Sequence, residues 1–126
     1  MINILRNLTL GLLGIAFMAV GITHFTNEEF FVAIMPPYLP WHRELVYISG
    51  VFEILGGAGL LIPRLRTIAG WGLIALMIAV FPANIHMAMN PDQFPDVSTT
   101  ALYLRLPMQF VMIGIVWWAA LKRPND

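Results

Sequence analysis

The sequence predicts an all-α protein, a polytopic membrane four-helix bundle that occupies residues 1–126 as a single domain. Of its 126 residues, 59% are hydrophobic and 11% are charged, whereas soluble domains are typically about 45–50% apolar and about 25% charged. The mean hydropathy is +0.76. Four apolar segments of about 20 residues each have the length that crosses a bilayer as a helix. Together they leave no room for a separate soluble domain.

Charge and cysteine content exclude several classes of function. The formal net charge is zero, so the chain has no excess of basic residues with which to bind nucleic acid. There is no cysteine, which excludes disulfides, thiol catalysis, iron–sulfur clusters and thiolate-ligated zinc. No metal site is predicted from clustered ligands. The expected surroundings of the chain are the lipid bilayer and either a protein partner or further copies of itself.

The first span is predicted at residues 4–25. Its apolar part is longer than a signal-peptide core, and no small-residue cleavage site follows it, so we expect it to be retained. Gly11, Gly14 and Gly21 recur at helical spacing and give this span a face on which another helix can pack closely. His24 lies at the far end of the span, next to the loop that follows.

The segment after the first span is predicted to form a short interfacial helix and a proline-rich lid. Thr26 and Glu29 fit a capping box for a helix at residues 30–35, which two prolines then stop. Three prolines within the next six residues make that stretch stiff. Tyr38 and Trp41 suit the headgroup region of a bilayer, and we expect them to pack over the mouth of a site. A plain stiff connector is the alternative.

The remaining spans are predicted at residues 44–62, 67–89 and 101–121. A tight turn that begins at Pro63 separates the second span from the third. Pro82 lies inside the third span, where a proline removes one backbone hydrogen bond and kinks a helix. A polar, turn-rich loop covers residues 90–96, and Ser98, Thr99 or Thr100 is expected to cap the last span.

Basic residues predict the orientation of the four spans. One side would hold five of them: Arg6, Arg64, Arg66, Lys122 and Arg123. The other side would hold Arg43 and Arg105. Because cytoplasmic loops carry an excess of lysine and arginine, this division predicts that both termini are cytoplasmic.

One carboxylate lies within the second span. Glu53 is surrounded by apolar and small residues, and an ionisable side chain at the centre of a bilayer costs about 2.5–3.5 kcal/mol on insertion scales. Such groups normally face a partner or a wet cavity. Ser49, Glu53 and Gly56 lie on one helix face, so we expect that face to point into the bundle.

Other polar groups are expected at a similar depth. At 1.5 Å per residue, Glu53 lies roughly 12–14 Å, Asn84 about 8 Å and Gln109 about 10–12 Å from the outer ends of their spans. His24, His86 and Arg105 lie nearer the rim, so all six groups fall in the outer half. The sequence therefore predicts an outer-leaflet polar pocket, with a purely structural hydrogen-bond cluster as the alternative.

Four short stretches of the sequence resemble the DoxX-like family of small four-span membrane proteins. They are Gly21-Ile22-Thr23-His24-Phe25, Pro36-Pro37-Tyr38-Leu39-Pro40-Trp41, Ser49-Gly50-Val51-Phe52-Glu53-Ile54-Leu55-Gly56 and Phe81-Pro82-Ala83-Asn84-Ile85. The resemblance implies a four-helix bundle in the bacterial cytoplasmic (inner) membrane. The family includes members associated with quinone-linked sulfur oxidation, one of them a membrane subunit of a thiosulfate:quinone oxidoreductase, so a quinone is the cofactor that the resemblance implies. His24, Glu53 and Asn84 are the functional residues that transfer.

Three functions remain open at this point. In the first, the chain is the membrane subunit of a quinone-linked complex. Glu53 would accept a proton near a quinone carbonyl, His24 or Arg105 would donate a hydrogen bond to that carbonyl, and a partner would supply the electrons. In the second, it is a non-catalytic binding or assembly protein whose pocket holds a lipid or a partner helix. In the third, His24 and His86 bind a metal or a haem. The sequence leaves open the ligand, the partner chains and whether the chain has any turnover.

Overall fold

The regular elements of the structure, a computed structural model that describes residues 1–95 and 97–122, are all helices. They are α1 (Ile2–Thr26), α2 (Glu28–Ile34), α3 (His42–Leu61), α4 (Arg66–Met89) and α5 (Thr99–Val116). Short 3-10 turns at Pro63–Leu65 and Pro91–Gln93 join the longer helices. The expectation of an all-helical fold with four long apolar helices is confirmed, since four helical stretches are long and apolar enough to cross a membrane. Two residues named in the sequence analysis lie outside the described residues: Asp96 of the polar loop and Arg123, one of the basic residues used to predict the orientation.

The capping box predicted at Thr26 and Glu29 is wrong. Thr26 is the last residue of α1, and the backbone N–H of Asn27 donates to the carbonyl of Thr23 over 2.8 Å. Because Thr26 is itself helical, it cannot take the extended conformation of an N-cap residue. Asn27 alone separates the two helices, and its side chain makes no capping bond, so α2 begins at Glu28.

The cap predicted for the last long helix is confirmed at Ser98. Its hydroxyl oxygen accepts a hydrogen bond of 3.1 Å from the backbone N–H of Ala101, which satisfies one of the free donors at a helix start. At its other end α5 widens into a π-helical turn, Trp117–Leu121. There the N–H of Lys122 donates to the carbonyl of Trp117 over 2.9 Å.

Glycines let α1 and α3 pack antiparallel in close contact. A Cβ added at Gly14 would lie 2.8 Å from the carbonyl oxygen of Gly57, and one added at Gly21 would lie 2.9 Å from that of Gly50. Real Cβ atoms do not approach so closely, and backbone oxygens on a packed helix cannot move aside cheaply. Gly14 and Gly21 of the small-residue face expected on the first span therefore receive α3, whereas Gly11 has nothing within 4 Å of an added Cβ.

The buried apolar side chains divide between the two ends of the bundle. One cluster, centred on Leu10, Leu60, Leu73 and Val116, fills the end that holds Arg6, the Pro63–Leu65 turn and Lys122, here called the N-terminal end. A smaller cluster of Ile34, Met87, Phe94 and Leu102 lies at the opposite end, here called the α2 end. Polar side chains gather at the α2 end, as their predicted depths require.

Candidate functional site

A cavity of about 400 Å³ lies at the α2 end. Side chains of α1, α3, α4 and α5 form its walls, and α2 with the segment after it supplies further lining. Most of the lining is apolar. The polar members are His24, Ser49, Glu53, Asn84, Arg105 and Gln109. A mainly apolar cavity with a few convergent polar groups is the usual form of a small-molecule site.

His24 and Glu53 form a close pair on one wall of the cavity. Glu53 Oε2 lies 3.5 Å from His24 Nε2, and the two side chains are only 13% and 8% exposed. His24 Nδ1 lies 2.9 Å from the carbonyl oxygen of Val20, an acceptor to which Nδ1 must donate its hydrogen. Nε2 is then left for the carboxyl group. The pair can therefore hold one proton, either on the acid or on the imidazole.

The other polar side chains of the cavity form a hydrogen-bonded chain between α4 and α5. Arg105 Nε donates to Asn84 Oδ1 over 3.2 Å, and Asn84 Nδ2 donates to Gln109 Oε1 over 3.4 Å. Gln109 Nε2 in turn donates to the backbone carbonyl of Met77 over 2.5 Å. Among the residues that the structure describes, no carboxylate lies within 4.0 Å of the Arg105 guanidinium. A guanidinium has five N–H donors, so the group offers hydrogen bonds to a ligand at the cavity.

The helix α2 is held over the His24 side of the cavity by two sets of contacts. The Phe31 ring stacks on the His24 imidazole, with centroids 4.0 Å apart and an angle of 16° between the planes. Farther out, the Tyr47 hydroxyl donates to the Glu28 carboxylate, which also lies 3.4 Å from Arg43 Nε. Phe31 therefore contacts the site, and Glu28 at the start of α2 ties the helix to α3.

The aromatic lid expected from Tyr38 and Trp41 is wrong. The two side chains are 75% and 72% exposed and do not line the cavity. Pro36 and Leu39 of the same segment do line it. The backbone explains the difference in part, because Trp41 takes a left-handed conformation with φ 54° immediately before α3. Pro36 and Leu39, and not the aromatic residues, therefore face the cavity from this segment.

His86 also lies apart from the site. Its Nδ1 is 3.2 Å from Asn90 Nδ2, and the side chain does not line the cavity. A site shared by His24 and His86 therefore has no support in the geometry. No group of three or more histidine, aspartate or glutamate side chains that could hold a metal occurs in residues 1–95 and 97–122.

Two contributors to the site were missed at the level of sequence. Phe31 stacks on His24 only because a single residue, Asn27, turns α2 back from the end of α1. The Met77 carbonyl is a backbone atom that any residue would supply. The sequence around Phe31 and around Met77 is apolar, and it holds no other signal that these residues contribute to the site.

The fold and the cavity together define the class of protein. In the described residues it is an all-helical bundle of four long apolar helices, with a mainly apolar cavity at the α2 end that carries a few polar side chains. Residues 13–120 match the family described as "Domain of unknown function (DUF8561)", and the chain belongs to that family. No curated protein and no solved structure matches the chain.

Proposed function

We propose that this chain is a multi-pass membrane protein, DoxX-like in kind, that binds an amphiphilic ligand of the quinone class in the cavity at its α2 end. In this proposal both termini are cytoplasmic and the cavity lies in the outer half of the bacterial inner membrane. One observation carries the proposal: two separate sets of polar side chains line the same cavity. They are the His24–Glu53 pair and the Arg105–Asn84–Gln109 chain. The rest of its wall is mainly apolar.

The outward surface of the bundle supports placement in a membrane. Large apolar side chains point outward along the long helices, among them Leu12, Ile68 and Phe110, which are 71%, 72% and 64% exposed. Soluble monomers rarely expose contiguous apolar patches of more than a few hundred Å². Lipid chains would cover these side chains, while the basic residues at the N-terminal end would face the cytoplasm.

The size and polarity of the cavity suit a ring with polar atoms and an apolar tail. Ligand cavities are typically about 300–1,000 Å³, and this one is about 400 Å³. A ring carbonyl could accept hydrogen bonds from the Arg105 guanidinium. Glu53 or His24, whichever holds the shared proton, could donate it to a second carbonyl. The apolar walls would contact the ring and the start of its tail.

The chain's share of any redox reaction would be binding and proton transfer. Reduction of a quinone to a quinol takes up two electrons and two protons. The pair of His24 and Glu53 can deliver a proton and be reloaded from water at the α2 end. In this proposal the electrons come from a flavin-bearing or metal-bearing partner protein, and the chain acts as the membrane subunit of a quinone-linked oxidoreductase.

A second candidate function is non-catalytic binding or assembly. The outward face of α5 favours it, because Tyr103, Leu104, Phe110 and Val111 are all exposed there. That face would suit a partner helix or a second copy of the chain, and the cavity would then hold a lipid chain. The two candidates differ in whether the charge of Glu53 matters to what the cavity retains.

Binding of a short-tailed quinone to the purified protein tests the proposal. We would measure the affinity for decylubiquinone in detergent by calorimetry for the wild type, Glu53→Gln and Glu44→Gln. Glu44 is the matched control, an exposed carboxylate on the same helix. When the shared proton lies on His24, Glu53→Gln removes the carboxylate that pairs with the charged imidazole. Hydrogen bonds from charged groups contribute about 1.5–3 kcal/mol, so Glu53→Gln should weaken binding about tenfold or more and Glu44→Gln should not. Equal affinity in all three proteins, with only phospholipid co-purifying, would favour the non-catalytic role.

A further inference from the structure

We propose that Arg6 and Trp118 form a binding site for a phosphate-bearing anion at the N-terminal end of the bundle, opposite the cavity. The phosphate of an anionic phospholipid and free phosphate present the same oxygen atoms, so both are candidate sources. This site does not depend on what the cavity binds. It depends on the proposed membrane placement only for the argument from depth.

Arg6 is the one buried polar side chain in the described part of the protein that lacks a hydrogen-bonding partner. Within residues 1–95 and 97–122, the buried polar or charged residues are Arg6, His24 and Asn84. His24 and Asn84 are both paired, as described above. Arg6 is 9% exposed, and its Nε is buried with no hydrogen-bond acceptor. A buried donor without an acceptor is destabilising, and more so when it is charged, so an acceptor supplied by a bound anion would stabilise this arrangement.

The contact that Arg6 does make leaves its donors unused. Its guanidinium carbon lies over the Trp118 ring, 5.4 Å from the ring centroid. A cation–π contact holds the guanidinium electrostatically, but it does not replace an acceptor for the N–H groups. The π-helical turn Trp117–Leu121 supplies this ring. The guanidinium fork is therefore held in place with hydrogen bonds still to make, and its geometry matches phosphate in a bidentate manner.

The charges around Arg6 favour an anion from outside the chain. Arg66 and Lys122 lie at the same end of the bundle. Arg66 Nε donates to the carbonyl of Leu60 over 2.9 Å, and Lys122 Nζ lies 5.8 Å from the Trp117 ring centroid. Within residues 1–95 and 97–122, no carboxylate lies within 4.0 Å of any of these three basic groups.

The depth of Arg6 also fits the phosphate layer of a bilayer. Arg6 is four residues from the start of α1, or about 6 Å along the helix axis. A helix of 25 residues is about 37 Å long and exceeds the hydrocarbon core of about 30 Å by a few ångströms at each end. Arg6 therefore lies where the hydrocarbon meets the headgroups. Basic pockets between helices on the cytoplasmic side are known to bind anionic headgroups.

Binding of two phosphate sources to matched variants tests the site. The full chain in detergent would be titrated with phosphatidylglycerol, phosphatidylcholine and inorganic phosphate, with bound ligand counted by native mass spectrometry. The variants are Arg6→Gln, Arg6→Lys and Arg64→Gln. Arg64 is an exposed basic residue at the same end, so Arg64→Gln removes the same charge without touching the proposed site.

We expect Arg6→Gln to weaken binding about tenfold or more and Arg64→Gln to change it less than about twofold. Arg6→Lys keeps the charge but loses the fork, so it should also weaken binding. It remains informative if Arg6→Gln does not fold. Selective loss of phosphatidylglycerol binding identifies a lipid headgroup, and selective loss of inorganic phosphate binding identifies a free anion. Equal effects of Arg6→Gln and Arg64→Gln, or binding of neither phosphatidylglycerol nor phosphate by the wild type, would overturn the proposal.

Discussion

The pairing of His24 with Glu53 can be measured directly by a double-mutant cycle. The perturbations are Glu53→Gln, His24→Gln and the two together, which remove the charge of each partner while keeping similar volumes. At the observed separation of 3.5 Å, two unit charges interact by about 5 kcal/mol at an effective dielectric constant of about 20. Desolvation of both groups offsets most of this attraction. We therefore expect a coupling free energy of about 1–2 kcal/mol, above the average of about 0.6 kcal/mol for hydrogen bonds between membrane helices.

The assay is equilibrium unfolding in mixed micelles, followed by circular dichroism, with a second cycle of His24→Gln and Glu44→Gln as the control. Glu44 is exposed, so the control cycle should give a coupling below about 0.3–0.5 kcal/mol, as expected for independent sites. A His24–Glu53 coupling as small as the control would show that the two side chains share no proton. The proposed proton-transfer role would then lose its basis.

Three further predictions concern the packing of α1 on α3, the attachment of α2 and the topology. Gly57→Ala should destabilise the bundle by about 1–3 kcal/mol, because its Cβ would lie 2.6 Å from a backbone oxygen. Gly11 lies in open space, so Gly11→Ala should change the unfolding free energy by less than about 0.5 kcal/mol. Equal effects of the two variants would contradict the close α1–α3 packing. Tyr47→Phe should speed amide hydrogen exchange in α2 about fivefold, which corresponds to the loss of one hydrogen bond of about 1 kcal/mol. The control Tyr103→Phe, at an exposed tyrosine, should leave this exchange unchanged. Unaltered exchange in both variants would show that the Tyr47 hydroxyl does not hold α2. Reporter fusions after Arg64 and at the C-terminus should both read cytoplasmic, and a periplasmic signal at either point would refute the orientation.

Features that depend on local sequence or on length could be predicted. The four long helices follow from apolar runs of about 20 residues, and the cap at Ser98 depends only on residues within one turn. The meeting of Asn84 with Gln109 and Arg105 follows from depth, because each residue adds a fixed rise along its helix. Arg105 and Gln109 are four residues apart and share a face.

Features that depend on rotation about a helix or on chain reversal were harder to predict. His86 has nearly the depth of Asn84, but two residues rotate a helix by about 200°. The two side chains therefore point in nearly opposite directions, and depth alone cannot separate them. Tyr38 and Trp41 were misplaced because the exit angle of a stiff segment depends on a few backbone torsions, among them the positive φ of Trp41. The pattern of side chains does not encode those torsions.

The His24 imidazole makes two contacts at once. Its Nε2 lies near the Glu53 carboxylate, and its ring face stacks against Phe31 of α2. Gaining or losing a proton changes the charge of the ring and with it the attraction between the ring and its aromatic neighbour. Thermodynamic linkage makes this coupling reciprocal. A molecule that contacts α2 and displaces Phe31 would therefore alter proton binding at His24 without entering the cavity.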